Sequence, residues 1–193
     1  MYLDPNLNIQ GDLVLIDNPT TKVVTYLEIK EQLRIDSNDE QSLLEAYIDA
    51  ATDMAENYCN RHFITHEYKL YFNEVISSAS LIYPDCVLKN NSNQTCVNWI
   101  DVNGTAQGNN EAYIDSYSNP SLVYLSSNFT SPTLKDNFAN VFWYEFKTGF
   151  GDAATDTPEA IKQAIKLIVA DMYYFREDRK RAFPMASQIL LQP

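Results

Sequence analysis

The longest segment of the chain with a single clear period is residues 37–60, SNDEQSLLEAYIDAATDMAENYCN. Its apolar residues recur at intervals of three and four, which is the spacing that gathers side chains on one side of an α-helix. Ser37 and Glu40 have the spacing of a capping box, which predicts that the helix begins at Ser37. We predict a buried face made of Leu43, Leu44, Tyr47, Ile48, Ala50, Ala51, Met54, Ala55 and Tyr58.

The opposite side of this predicted helix carries four acidic residues, Glu45, Asp49, Asp53 and Glu56. No Lys or Arg occurs between Arg34 and Arg61, so we predict that the four carboxylates are solvated. The ordinary interpretation of such a row is an exposed helix surface. The functional alternatives are a wall past which DNA slides without binding, or an interface for a basic partner.

Two further helices are predicted on either side of this segment. Thr25 and Glu28 form a second capping box, which predicts a helix over residues 25–34. Thr157 and Pro158 supply an N-cap hydroxyl and a proline at the first helical position, which predicts a helix over residues 157–178. Its apolar stripe consists of Ile161, Ala164, Ile165, Ile168, Met172 and Phe175.

The region between the helices changes to a period of two, which is typical of strands. We predict strands near residues 64–72, 81–88, 95–102, 111–117, 121–125 and 139–147, and a type I′ turn at Asn103-Gly104. The apolar run from Leu13 to Ile16 predicts a short strand or an extended arm. The predicted fold class is α+β, with a helical bundle of residues 1–61 and 148–181, an antiparallel β insertion over residues 62–147, and an extended tail over residues 182–193.

The composition excludes some classes of function. A formal charge of −12 and a pI near 4.4 argue against a protein that grips nucleic acid, because phosphate binding needs clustered Lys and Arg. No apolar run approaches the length of a membrane span, and the first residues lack the features of a signal peptide, which predicts a soluble protein made in the cytoplasm. Cys59, Cys86 and Cys96 are odd in number and lack metal-binding spacing, so we predict reduced core residues.

Two histidines are the main candidates for chemistry. His62 and His66 have the H-x-x-x-H spacing of a zinc site, but they share a face only on a helix, and here they fall in a β-like run. A metal-dependent hydrolase that uses these histidines is one alternative function. A β-rich module that binds carbohydrate or protein is another, because aromatic residues mark recognition surfaces. Trp99 and Trp143, however, lie inside predicted strands and are more typical of a core.

The C-terminal segment also has two interpretations. Cations at the end of the last predicted helix stabilise the helix dipole, which is the ordinary explanation. Alternatively, the cations and the apolar residues after them form a docking tail that becomes ordered on binding. The residues of this predicted docking tail are Arg179, Lys180, Arg181, Phe183, Met185, Ile189, Leu190 and Leu191.

The order of these parts resembles the adaptor proteins of tailed bacteriophages and gene transfer agents, also called head-to-tail connector or head-completion proteins. The resemblance rests on residues 25–34, TYLEIKEQLR, and on residues 39–63 with their LLEAYIDAA and AENYCNRHF patterns. It continues in residues 144–151, YEFKTGFG, in residues 158–176, and in the closing pair Leu190-Leu191. About half of the chain is covered, and residues 73–138 depart from a minimal adaptor.

The resemblance implies a structural function with no catalytic activity and no cofactor. It implies a ring of identical subunits, twelve-fold by expectation, in the neck of a virion beneath the portal protein. The ring would extend the DNA channel and offer a surface to a stopper or tail protein, with no role for a membrane. On this interpretation the docking tail binds the portal, and Glu45, Asp49, Asp53 and Glu56 are candidates for lining the channel.

Overall fold

The computed structural model describes residues 11–17, 19–89, 95–175 and 185–192. They fall into two compact units, each built from separate parts of the chain. The β unit consists of residues 1–18 and 65–149, and the helical unit consists of residues 19–64 and 150–193. The mixture of helices and antiparallel sheets confirms the predicted α+β class.

The β unit contains a larger and a smaller antiparallel sheet. The larger sheet has the order β1-β2-β9-β5-β6, and β4 pairs with β9 beside β5. The smaller sheet has the order β3-β8-β7. The strands are β1 (Asp12–Asp17), β2 (His66–Phe72), β3 (Ser78–Ser80), β4 (Val87–Leu88), β5 (Val97–Ile100), β6 (Ala106–Asn109), β7 (Ala112–Asp115), β8 (Leu122–Leu125) and β9 (Phe142–Thr148).

The core of the β unit follows from the alternation in β2 and β9. Tyr68, Leu70 and Phe72 point to the buried side, where they meet Phe142, Tyr144 and Phe146 of β9. The other faces of these two strands carry charged side chains in a network of ion pairs. The Glu67 carboxylate forms ion pairs with the ammonium groups of Lys89 at 2.6 Å and Lys147 at 2.7 Å. The Glu145 carboxylate forms an ion pair with Lys69 at 3.1 Å.

Strands β3 and β6 lie outside every predicted strand range, and three other features of the described part of the β unit also differ from the sequence-based prediction. First, β1 pairs with β2 and therefore belongs to the sheet, although the prediction placed residues 1–61 in the helical bundle. Second, the strand predicted over residues 81–88 is mostly a loop, because Ile82 and Asp85 adopt left-handed backbone angles on either side of Pro84. Only residues 87 and 88 of that range form a strand.

The third difference is the turn at Asn103-Gly104. A hairpin does join β5 to β6, but only Gly104 has a positive φ, whereas a type I′ turn requires two such residues. The Asp101 carboxylate explains the conformation, because it accepts hydrogen bonds from the backbone N–H groups of Asn103 and Thr105, each at 2.9 Å. These hydrogen bonds lower the pKa of the Asp101 carboxyl, with the bond from Thr105 having the largest effect.

The helical unit contains α1 (Tyr26–Leu33), α2 (Gln41–Cys59), a 3-10 turn (Ala154–Asp156), α3 (Glu159–Tyr174) and α4 (Met185–Leu191). Its core joins residues from both parts of the chain, because α2 packs on α3 and α4 packs on both. The predicted capping box of Thr25 and Glu28 is confirmed in full. The buried core residues are Val23, Val24, Ile29, Leu33, Leu44, Ile48, Ala51, Ala55, Phe63, Ile64, Ala164, Ile165, Ile168, Val169 and Leu191.

Two predicted helix starts are wrong. The Ser37 hydroxyl accepts a hydrogen bond from the Asp39 backbone N–H at 3.1 Å, and the Glu40 carboxylate accepts the Tyr173 hydroxyl at 2.6 Å, so neither caps a helix at residue 37. Helix α2 begins at Gln41 instead. Thr157 likewise does not cap α3, because its hydroxyl donates to the Phe63 carbonyl at 3.2 Å.

Candidate assembly surfaces

Helix α2 presents three different faces rather than the predicted two. Leu44, Ile48, Ala51 and Ala55 are buried in the core of the helical unit. A second set of apolar residues, which we call the α2 stripe, lies on another side of the helix at intervals of three and four. It comprises Leu43, Tyr47, Ala50, Met54 and Tyr58, of which the first two are half-buried and the other three are exposed. The prediction that these five residues are buried is therefore wrong for Ala50, Met54 and Tyr58.

The signal for this stripe was present in the sequence. The nine apolar residues of the predicted buried face cover more of the helix circumference than a single buried face requires. Residues at positions 43, 47, 50, 54 and 58 fall on one line, and those at 44, 48, 51 and 55 fall on another, about 100° away. The helical unit uses the second line for its own core and leaves most of the first line exposed.

The acidic residues of α2 do not behave as one group. Glu45 and Asp53 are exposed, and Glu45 accepts a hydrogen bond from Gln41 at 2.8 Å. Asp49 is exposed and forms an ion pair with Lys22, a cation that precedes α1 and lies outside the segment between Arg34 and Arg61. These three carboxylates remain on the solvent side of the helix.

Glu56 has a different role from its three neighbours. Its side chain is only 14% exposed, so the prediction that it is solvated is wrong. One carboxylate oxygen accepts the backbone N–H of Phe63 at 2.7 Å, and the other lies 2.8 Å from Nδ1 of His62. We call this arrangement the Glu56 clasp, because it ties the chain that follows α2 back to the last turns of the helix.

The two histidines have separate roles. His62 belongs to the helical unit and pairs with Glu56, whereas His66 begins β2 in the β unit and stacks on the Tyr68 ring at 6.4 Å between centroids. In the described ranges, no group of three or more His, Cys, Asp and Glu side chains is arranged to hold a metal ion.

The predicted docking tail is partly a helix with a packed face. Leu191 is 3% exposed within the helical core, and Leu190 is half-buried against it. The Ser187 hydroxyl donates to the Ala164 carbonyl, and the Cys59 thiol donates to the Leu191 carbonyl, each at 3.4 Å. The prediction of an extended tail is therefore wrong for residues 185–191, which form a helix packed on its own subunit.

The structure describes only some of the other residues of the predicted docking tail. Ile189 is 65% exposed and is the one large apolar side chain that the structure describes as exposed in α4. Arg179, Lys180, Arg181 and Phe183 lie outside the described residues, and so does Arg176. For Met185 only the backbone is described. Among the described helices, none is both long and apolar enough to cross a membrane.

The cysteines are confirmed as free thiols. Cys86 and Cys96 are buried, and burial raises the pKa of the Cys86 thiol to about 12. Burial also raises the pKa of the half-buried Cys59 thiol. Thiols of this kind are poor nucleophiles at neutral pH, because the reactive form is the thiolate.

Comparison with a protein family confirms the resemblance found in the sequence. A family described as phage gp6-like head-tail connector proteins matches residues 25–82. The matched range contains α1, α2, β2 and β3, and with them the TYLEIKEQLR and LLEAYIDAA segments. A comparison with curated protein sequences finds no match.

Comparison with solved structures identifies chains of the same fold. One comes from the neck of an empty gene transfer agent particle computed with C6 symmetry, with a TM-score of 0.71, 17% identity and coverage of 93% of each chain. Two others come from the virion of a native gene transfer agent particle and from its neck computed with C12 symmetry. Their TM-scores are 0.66 and 0.64, with 17% identity and coverage of 93% of this chain and 92% of theirs. The shared feature at this identity is the fold.

Proposed function

We propose that this protein is a structural component of a virion neck. In this proposal, identical subunits form a ring that joins the portal protein to a stopper or tail protein and extends the DNA channel. The observation that carries the proposal is the match of residues 25–82 to head-tail connector proteins. The fold shared with chains from gene transfer agent necks, one computed with C12 symmetry, supports a twelve-fold ring. The subunit would be made in the host cytoplasm and incorporated into the virion.

The charge of the chain suits a conduit for DNA. Twelve copies at −12 each would carry a formal charge of about −144, which would disfavour retention of a polyanion inside the ring. We propose Glu45, Asp49 and Asp53 as residues that line the channel. Glu56 is removed from this set because its carboxylate is engaged in the Glu56 clasp.

A ring also requires each subunit to cover apolar surface against its neighbour. The α2 stripe supplies such a surface in the helical unit, since Met54 and Tyr58 are 40% and 46% exposed. We propose that the α2 stripe is covered by an adjacent subunit. Exposed contiguous apolar patches of this kind are typical of interaction surfaces.

The contact with the portal is proposed for the C-terminal segment. Arg179, Lys180, Arg181 and Phe183 remain the proposed docking residues, together with the exposed Ile189 of α4. Leu191 has a different role, because it completes the helical core of its own subunit. Deleting residues 182–193 is therefore a poor test of docking, since the deletion also removes part of the core.

The test of the proposed function is a cryo-EM reconstruction of the particle that encodes this chain. We expect a ring of this fold between the portal and the tail, with Glu45, Asp49 and Asp53 facing the lumen. Absence of the chain from the particle would refute the neck assignment, and a ring whose three carboxylates face outward would refute only the channel lining. For docking, Ile189→Asp should reduce binding to purified portal, whereas Gln192→Asp should leave it unchanged.

A further inference from the structure

The larger sheet of the β unit ends in two strand edges that have no partner among the described residues. At one end β1 pairs with β2 alone, and at the other end β6 pairs with β5 alone. Both edges are open to solvent, since Val14, Leu15 and Ile16 of β1 are 42 to 45% exposed and three of the four residues of β6 are exposed. Unpaired strand edges are templates for pairing with another chain.

The register shows which main-chain groups of β6 are open. The Asp101 N–H donates to the Thr105 carbonyl at 3.0 Å, so Thr105 and every second residue after it face β5. The N–H and C=O groups of Ala106 and Gly108 therefore point away from β5, towards the free edge of the sheet.

The same alternation identifies the open main-chain groups of β1. The Glu145 N–H donates to a carbonyl on the β5 side of β9 at 2.9 Å, so Lys69, which lies opposite Glu145 on β2, faces β1. Val14 is opposite Lys69 and faces it in turn. The N–H and C=O groups of Leu13 and Leu15 therefore point away from β2, towards the other free edge.

The strand order fixes the relative direction of the two edges. Four antiparallel steps lead from β1 to β6, so these two strands run in the same direction. A closed ring of more than two subunits needs two different surfaces that fit each other. Neighbours in a twelve-fold ring differ by a rotation of about 30°, and adjacent strands within one sheet twist by about 10 to 35°. The β6 edge of one copy and the β1 edge of the next are therefore suited to a parallel pair.

The side chains fit such a pair in one register. Asp12 and Gly108 lie on the same face of the sheet, because both belong to the row of opposed residues that passes through Trp143. In a parallel pair, residues that are level with each other point to the same face, and only one of the two bonds across the pair. Both conditions hold when Asp12 is level with Ala106 and Val14 is level with Gly108. Since Gly108 has no side chain, it leaves room for the exposed Val14.

Charge favours β6 over a second copy of β1 as the partner of β1. If two β1 strands paired along their whole length in antiparallel fashion, Asp12 of each would lie opposite Asp17 of the other, and opposed like charges are destabilising. Strand β6 carries no charged residue, and the Lys135 ammonium group lies beside the turn that precedes it. Among the described residues, Lys135 contacts the Phe138 ring at 4.8 Å and forms no ion pair. In the parallel register, Asp12 of the incoming strand brings a carboxylate to this end of β6.

We propose that β1 of one copy pairs in parallel with β6 of the adjacent copy, which joins the larger sheets of neighbouring subunits. The proposal rests on the ring proposed above and identifies one contact between its subunits. The Leu13 N–H would donate to the Ala106 carbonyl, and the Leu13 carbonyl would accept the Gly108 N–H. The Leu15 N–H would donate to the Gly108 carbonyl. The bulge that follows Leu15 ends the pair.

Disulfide cross-linking in assembled particles tests this pairing. Level residues of neighbouring strands lie about 4.8 Å apart, which is within the Cα separation that a disulfide spans. A chain with Asp12→Cys and Ala106→Cys should therefore form a ladder of covalent oligomers when the particles are oxidised. Asp17→Cys with Ala106→Cys is the matched control, because its thiols are about 16 Å out of register and should stay unlinked. The unsubstituted chain controls for the three native cysteines.

A charge exchange provides a second measurement. Lys135→Glu should lower incorporation into particles in competition with the wild-type chain, because it places a carboxylate near Asp12 of the neighbour. Adding Asp12→Lys to the same chain should restore incorporation, since the pair of charges is then reversed. A role of Lys135 confined to its own subunit would not be rescued by a change at Asp12.

The outcomes separate this inference from the proposed function. Equal cross-linking of the two double-cysteine variants, or none in particles whose neck contains the ring, would overturn the strand pairing. Cross-links in a chain with Asp12→Cys and Asp17→Cys would show that β1 pairs with β1, and would overturn it as well. A failure of Asp12→Lys to rescue Lys135→Glu would count against the register. A chain that is absent from the neck but forms the ladder in concentrated solution would overturn only the proposed function.

Discussion

Replacing Glu56 with Ala tests whether the Glu56 clasp holds the helical unit together. The substitution leaves the Phe63 N–H without its acceptor, and Phe63 is fully buried. A buried donor without a partner costs about 1 to 3 kcal/mol, and a hydrogen bond to a charged group is worth about 1.5 to 3 kcal/mol. We therefore expect Glu56→Ala to lower the free energy of unfolding by about 3 kcal/mol, with part of the loss arising from the contact with His62.

Urea unfolding followed by circular dichroism at the helix signal provides the assay for this prediction. With a slope of about 2 kcal/mol per molar urea, the midpoint of the helical unit should fall by about 1.5 M. Glu56→Gln should lose less, about 1 kcal/mol, because its amide oxygen can still accept the Phe63 N–H. Glu45→Ala is the control, since Glu45 is exposed and its replacement should stay within about 0.5 kcal/mol. Equal midpoints for Glu56→Ala and Glu45→Ala would refute the clasp.

Three further predictions address other parts of the chain. Leu191→Ala should lower the free energy of unfolding by about 3 kcal/mol and speed chemical labelling of the Cys59 thiol. The control Ile189→Ala should change neither the stability nor the labelling rate. An unchanged labelling rate in Leu191→Ala would contradict the packing of α4. Burial raises the pKa of the Glu67 carboxyl, but the ion pairs with Lys147 and Lys89 outweigh burial and lower this pKa below its usual value. Glu67→Gln should therefore destabilise the β unit near neutral pH, and the difference in stability should shrink as the pH falls below about 4. A difference independent of pH would count against these ion pairs. Met54→Lys should block incorporation into the ring without altering subunit stability, whereas Ser42→Lys, on the exposed side of α2 that carries Glu45 and Asp49, should not. Normal rings with Met54→Lys would exclude the α2 stripe as an interface.

Local sequence patterns predicted a helix start correctly where the capping side chains bond to the backbone of that helix start. Thr25 and Glu28 cap α1 as expected, and the contact of Lys166 with the Glu28 carboxylate at 2.9 Å leaves the capping hydrogen bonds in place. The same motif at Ser37 and Glu40 fails, because Tyr173, 133 residues away, takes the Glu40 carboxylate. A capping box is readable from sequence only when tertiary contacts leave it intact.

The candidate surfaces were harder to predict for a related reason. Periodicity identified the apolar residues of α2, but it could not show which of two apolar lines would meet α3 and which would be left as the α2 stripe. The four acidic residues looked equivalent, yet Glu56 alone lies close enough to His62 and Phe63 to be drawn into the fold. The packing of α4 was missed because seven residues are too few for a period to be distinguished from a tail.

The chain passes between its two units three times, at residues 18–19, 64–65 and 149–150. During synthesis, α1 and α2 emerge well before α3, yet their buried side chains need Ala164, Ile165 and Ile168 to complete the core. At about 5 to 20 residues per second, the ribosome adds the intervening residues over several seconds, during which the ten buried core residues before α3 lack the five that follow. A nascent or broken chain that stops before α3 therefore cannot complete the helical core. An assembly that requires the folded helical unit would therefore exclude truncated chains. A single defective copy would then be less able to enter a closed ring and interrupt it.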